Sequence, residues 1–226
     1  MSTLRTSFAL IVAVALAGCA SAPAFDYTAF KQAKPASILV MPPINNSPDV
    51  IASPSVWAQT IAPLAESGYY VVPITLVAET FRQNGMVNPE EAAQASPEKL
   101  RSFFGADAML AILVKQYGTT YRVLGSESRV TVEGKLVDLR TGKELWAGSA
   151  TASSAEQQGA SGGGLAGLLI QALVTQIVES AINASHPIAG IASNRLLAAG
   201  RPVGLPGGML YGPRSPNFGK DPQLSK

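Results

Sequence analysis

Residues 107–118, DAMLAILVKQYG, hold an apolar run with no charge between Ala108 and Val114. Such a run is too apolar for an exposed sheet edge and predicts a strand covered by neighbours. A loop is expected over 119–127. In RVTVEGKL (129–136) the odd positions are polar and the even ones mostly apolar, the alternation of a strand with one buried face. The phase reverses at Val137 and Leu139, which calls for a bulge or a change of sheet face. Thr141-Gly142 then makes a turn, and KELWAGSATA (143–152) returns antiparallel. The chain must therefore build a sheet that ends in a meander.

The segments before it mix strands and helices. SILVMPPIN (37–45) is a short apolar run stopped by two prolines, a buried strand entering a loop. Ser53-Pro54 reads as an N-cap with Pro at the first helical position, and Trp57, Ile61, Leu64 and Ala65 fall on one helical face. Pro63 should kink or divide that helix and Gly68 should end it. YYVVPI (69–74) is a second strand. Thr75 is placed to cap a helix through Gln83 that stops at Asn84-Gly85, and Ser96-Pro97-Glu98 to cap another ending at Gly105. The fold class is α/β: a small mixed sheet with helices over 37–152.

A Gly/Ser-rich loop is expected over 153–164. LAGLLIQALVTQIVESAINA (165–184) has the length of a membrane span, but Gln171, Thr175, Gln176, Glu179, Ser180 and Asn183 recur at helical spacing. One polar stripe makes it an amphipathic helix, expected to pack on the domain or on a partner protomer. Pro187 starts a second helix to about Leu197, so C-terminal helices occupy 165–199. The Gly/Pro-rich tail, 200–226, reads as irregular or disordered.

The amino terminus has a different character. Arg5 is followed by ten apolar residues, Phe8 to Ala17, and then by small residues around Cys19, the one cysteine of the chain. A helix of that run is about 15 Å long, half of a hydrocarbon core of about 30 Å. It fits the apolar core of a secretory signal over 1–18 and not a membrane span. Leu16-Ala17-Gly18-Cys19 resembles the bacterial lipobox. The resemblance implies cleavage before Cys19, with Leu16, Ala17 and Gly18 as the peptidase recognition residues, and attachment of diacylglycerol and a further acyl chain (palmitate-type) to Cys19. Ala20, where an aspartate would retain the protein at the inner membrane, implies delivery to the outer membrane. The alternative is an ordinary Ala-x-Ala cut after Ala20 or Ala22. Residues 19–36 are then the lipidated terminus and a tether that lets the body stand several tens of Å from the bilayer.

Composition narrows the chemistry. Lys and Arg number 17 against 15 acidic residues, a net charge of +2 with no basic cluster, so nucleic acid is not an expected partner. One cysteine, acylated, leaves no disulfide. One Cys and one His, His186, offer neither a metal-ligand cluster nor a nucleophile–base pair, so no cofactor, metal or catalytic residue is expected. SGGGLAG (161–167) lacks the Lys-Ser/Thr of a phosphate loop. Glu90-Glu91 lie at a helix start, where acids suit the dipole. Asp138 and Glu144 straddle a hairpin, and Arg214 is a lone cation in a tail.

Together the lipobox, the Pro-Pro strand end, PLAESGYYVVPI (63–74), FGADAMLAILVKQY (104–117), LVDLRTGKELWAG (136–148) and the LYGPR of the tail resemble a family of bacterial lipoproteins represented by a meningococcal surface-antigen candidate. More distantly, the Gly-Ala-Asp-Ala strand start and the Asp-Leu-x-Thr-Gly-Lys-x-x-Trp hairpin resemble the periplasmic α/β domain shared by the N-terminal part of TolB, CsgG and LpoB. The resemblance implies non-enzymatic envelope-assembly or secretion work by protein–protein contact: an outer-membrane, periplasm-facing lipoprotein that docks other envelope proteins and forms homo-oligomers. Activation of a peptidoglycan synthase and binding of a small envelope ligand are the alternatives it leaves. CsgG builds a pore from added hairpins, whereas here the one long hairpin, 128–153, is expected within the core sheet.

Overall fold

The computed structural model describes residues 25–122, 125–158, 184–200 and 208–224. The first helix, α1 (Thr28–Ala33), precedes β1 (Ser37–Val40) and β2 (Ile44–Asn45). There follow α2 (Ala52–Gln59), α3 (Ile61–Glu66), β3 (Tyr70–Val71), α4 (Ile74–Gln83), α5 (Pro89–Ala92) and α6 (Pro97–Phe104). The meander is β4 (Ala108–Arg122), β5 (Gly125–Asp138) and β6 (Glu144–Ser153), after which come α7 (Ala155–Gln158) and α8 (Ser185–Leu197).

The six strands form one mixed sheet in the order β3-β1-β4-β5-β6, with β2 also against β4. β1 runs parallel to β3 and β4, and β2 parallel to β4. β4–β5 and β5–β6 are antiparallel. β1 is buried on both faces, Ile38 and Val40 toward one core and Leu39 toward the other, which is why it reads as a continuous apolar run. The larger core lies between the sheet and α2, α3 and α8. It holds Leu110, Ile112, Val114, Val132, Leu136 and Trp146 against Val56, Leu64, Ile188, Ala192 and Leu196. The smaller one packs Val77 and Phe81 of α4 and Leu100 of α6 on Leu39 and Leu139.

The motifs of the resemblance are framework. Asp107 accepts hydrogen bonds from the Ala36 and Ser37 amides and the Ser37 hydroxyl at 2.8–3.0 Å, fixing β1 beside β4. Asp138 accepts from the Arg140 amide at 2.7 Å and the Thr141 hydroxyl at 3.0 Å, shaping the hairpin turn. Gly142 there takes φ +69°, a backbone state glycine adopts without a Cβ penalty. The expected phase reversal is a register shift between Leu136 and Val137, and both Val137 and Leu139 are buried. Ser96 caps α6 by accepting from the Lys99 amide, and Gly105 ends it at φ +65°. A second register shift in β4 falls between Val114 and Gln116. It lets the odd-numbered Tyr117 face the core as the even-numbered Val114 does.

Other expectations are corrected. The helix after β2 starts at Ala52, and Ser53 does not cap it: its hydroxyl donates to the Pro43 carbonyl at 2.6 Å. The break before Pro63 falls at Thr60, so the face predicted through Trp57 and Ile61 is split and Ile61 is exposed. Thr75 lies inside α4, which begins at Ile74 after an uncapped Pro73. The second strand is confined to Tyr70–Val71. Residues 119–122 and 125–127 are strand and not loop, so the long hairpin is 108–138 rather than 128–153. Within 153–164, Ala155–Gln158 forms a helical turn. The segment 165–184 lies outside the described residues apart from Ala184, while α8 packs on β5 and β6 as the C-terminal helices were expected to. Among the described residues no helix is long and apolar enough to cross a membrane.

Both termini of the body differ most from expectation. Residues 25–36, expected as tether, are docked: Tyr27 and Phe30 are buried in the larger core. The tail from Gly208 is irregular, as expected, but ordered against the body, with Met209 and Leu210 buried.

Candidate functional site

Cys19, Leu16, Ala17 and Gly18 lie outside the described residues, whose first member is Phe25. Six residue steps separate Cys19 from Phe25, a reach of at most about 22 Å. Docking of 25–36 thus shortens the stand-off expected of a longer tether. Phe25 packs against Tyr27 with the rings tilted by 56° and centroids 4.8 Å apart, and Tyr27 meets Phe30 edge-on at 6.4 Å. The Tyr27 hydroxyl donates to the Gly208 carbonyl, so the first and last described segments are tied together.

Their junction forms a half-open, apolar cavity of about 260 Å³. Phe30 of α1, Tyr69, Leu210, Pro213, Phe218 and Leu224 form its walls, and Lys31 and Lys34, both exposed, stand among the lining residues. The tail is held there by its backbone. The Gly212 amide donates to the Ser67 carbonyl at 2.8 Å and the Arg214 amide to the Gly68 carbonyl at 3.2 Å. Gly68 has φ +94°, and a Cβ there would stand 2.6 Å from that of Ser215. The glycine that ends α3 therefore also admits the tail. The Tyr69 hydroxyl donates to the Leu210 carbonyl at 2.6 Å. Burial, with the nearby Asp221 charge adding, pushes the Tyr69 phenol far above its ordinary value. Asp221, also lining the cavity, accepts from the Tyr211 amide at 2.6 Å, and burial raises its carboxyl above the usual aspartate value. Lys34 ends α1 at φ +44°, the one non-glycine residue with positive φ among the described residues. Arg214 lies over the Tyr70 ring, 5.4 Å from its centroid.

A second polar cluster was not visible in the sequence. His186 Nδ1 lies 2.7 Å from Ser55 Oγ, and Tyr117 donates to the same oxygen at 2.9 Å. Gln59 Nε2 stands 2.9 Å from His186 Nε2, so the imidazole is held between the Ser55 hydroxyl and the Gln59 amide. The cluster clasps α2, β4 and the start of α8. Glu91 and Glu144 are equally accounted for, one closing a capping box with Asn88 and the other pairing with Lys135 at 3.0 Å. No group of three potential metal ligands occurs among the described residues.

The third feature is the end of the long hairpin. β5–β6 pairing stops at Arg129–Ser153 and β2 reaches β4 only to Val114. Thr119–Arg122 and Gly125–Ser128 pair with each other beyond both ladders, with Ser128 still hydrogen-bonded to Ser154. They form a two-stranded ribbon whose β4 edge has no strand partner among the described residues. Four residues per strand is less than half of the 9–11 a membrane-spanning strand requires.

Comparison with known proteins agrees with this architecture. Over 95% of its length this chain is 45% identical to the Neisseria meningitidis serogroup B protein named "Putative lipoprotein NMB1124/NMB1162", covering 97% of that protein. The crystal structure of lipoprotein GNA1162 from Neisseria meningitidis matches at 50% identity and a TM-score of 0.52, over 65% of this chain and all of that one. The C-terminal domain of LpoB from Salmonella enterica is a looser likeness, at 17% identity and a TM-score of 0.37 over 51% of this chain and 81% of that one. The family model described as "Putative lipoprotein GNA1162-like" matches residues 25–214, a span that begins at the docked Phe25 and ends at the tail arginine over Tyr70. The chain belongs to the GNA1162-like family of envelope lipoproteins.

Proposed function

We propose that this lipoprotein is a non-enzymatic scaffold or accessory subunit in envelope assembly or secretion, anchored in the outer membrane through acylated Cys19, facing the periplasm and working as a homo-oligomer. The observation that carries the reading is the ribbon of residues 119–122 and 125–128, whose β4 edge has no strand partner beyond β2 among the described residues. An open edge offers main-chain donors and acceptors to an incoming strand, the mode of β-augmentation. The six residue steps from Cys19 to Phe25 reach about 20–22 Å at most, which holds the body near the bilayer. Three acyl chains on Cys19 make the attachment effectively permanent, because each buried methylene contributes about 0.8 kcal/mol.

A photo-crosslinking residue at exposed Thr120, in protein recovered from outer membranes, tests this against the same residue at exposed Glu98 on α6. Capture of secretion or assembly proteins from Thr120 and not from Glu98 is the expected result. Capture of cell-wall synthases would replace the reading with activation of peptidoglycan synthesis. Recovery of its own protomers alone, or identical products from both positions, would refute it.

A further inference from the structure

We infer that the cavity between α1 and the tail takes one acyl chain of an anionic membrane phospholipid, with Lys31 and Lys34 holding the headgroup phosphate. The walls are apolar and aromatic: Phe30, Tyr69, Leu210, Pro213, Phe218 and Leu224. Two polar groups of the lining are engaged by the tail itself. The Tyr69 hydroxyl is given to Leu210, and Asp221 receives the Tyr211 amide. A sugar or peptide would bury polar groups in this cavity without partners, which is costly, whereas an alkyl chain buries none. At about 260 Å³ the cavity is smaller than the usual range for drug-sized ligands. It suits a stretch of a single chain better than a fused or branched ligand.

The charges at its lining fit the headgroup. Lys31 and Lys34 are exposed, and neither forms an ion pair among the described residues. Lys34 is held at φ +44°, where a non-glycine residue is disfavoured and where functional sites concentrate. Cations beside a membrane surface attract anionic lipids at short range. A membrane lipid as the source rests on the anchoring proposed above, since the reach from Cys19 to Phe25 brings the cavity close to the bilayer.

Native mass spectrometry of the full mature protein, purified from membranes and titrated with lysophosphatidylglycerol below its micellar concentration, tests the site. The intact mass reports acylation of Cys19 independently of added lipid, so failure of the anchor and failure of the cavity are read separately. The expected result is one bound lysophosphatidylglycerol per chain. Lys31→Gln with Lys34→Gln should weaken it roughly ten- to thirty-fold, and lysophosphatidylcholine should bind wild type more weakly to a similar degree. Phe218→Ser, an exposed wall residue, should weaken both lipids together. Equal affinity for the two headgroups, no effect of the lysine changes, or no saturable binding would overturn the inference. Binding that appears only once Cys19→Ala removes the acyl groups would overturn it too, assigning the cavity to the chain's own anchor.

Discussion

Replacing Tyr69 by Phe should release the tail while leaving the sheet intact. The lost hydroxyl is a buried donor to the Leu210 carbonyl at 2.6 Å, and both residues are 4% exposed. The substitution keeps the ring and leaves that carbonyl without its donor, a penalty of about 1–3 kcal/mol. Because the Tyr69 hydroxyl bonds only the tail, the penalty falls on local opening and not on global unfolding. At 1.4 kcal/mol per tenfold, opening should become roughly 5- to 150-fold more frequent. Amide hydrogen exchange read by mass spectrometry isolates the effect, since Tyr211, Gly212 and Arg214 all donate their amides within the docked tail. The peptide over 209–216 should exchange faster by that factor, and peptides from β4 and β5 should not change. A wild-type tail that already exchanges at the unprotected rate would refute the docking. Uniform acceleration through the sheet would refute its local character.

Three further outcomes follow from the same packing. Gly148→Ala would place a Cβ 2.9 Å from Cη2 of Trp146, a ring 1% exposed. Such overpacking should cost about 1–3 kcal/mol, seen as a lower denaturation midpoint with an altered near-ultraviolet signal from the indole. Asp221 has a folded pKa raised by burial, so its contribution to stability is full below the unfolded aspartate value and is lost as pH rises through the folded one. Asp221→Asn, which can still accept from the Tyr211 amide, should therefore protect the tail better at pH 7 than wild type, with the two proteins converging near pH 3. Ser55→Ala removes the hydroxyl that Tyr117 and His186 share. It should destabilise the fold by about 1–2 kcal/mol in urea titrations, and a loss beyond about 4 kcal/mol would show that more than this clasp is held there.

How much of this was legible follows from which signals are periodic. The meander was readable because β5 buries Val130, Val132 and Leu136 on one face and turns Lys135 to solvent. Local chemistry with a fixed offset was readable too, as in the Ser96-Pro97 cap and the glycines after α3 and α6. The ribbon was missed because Thr119, Thr120 and Gly125 to Ser128 are polar or glycine and carry no apolar alternation. The tail was missed because it docks through backbone amides, and its Gly/Pro composition says nothing about where they go. Phe25, Tyr27 and Phe30 were the available hint that the supposed tether is docked, since three aromatic rings in six residues do not suit a solvated linker. The His186–Ser55 contact joins positions 131 apart and leaves no local trace.

The proposed membrane setting depends above all on the chain beginning, once mature, at an acylated Cys19 a few residues before the docked Phe25. The direct measurement is the mass of the N-terminal tryptic peptide from membrane-extracted protein. The expected species is the peptide from Cys19 to Lys31 carrying three acyl chains, absent from a Cys19→Ala variant that leaves the membrane fraction. An unmodified peptide beginning at Ser21 or Pro23, the products of cleavage after Ala20 or Ala22, would contradict the anchor and the membrane setting derived from it.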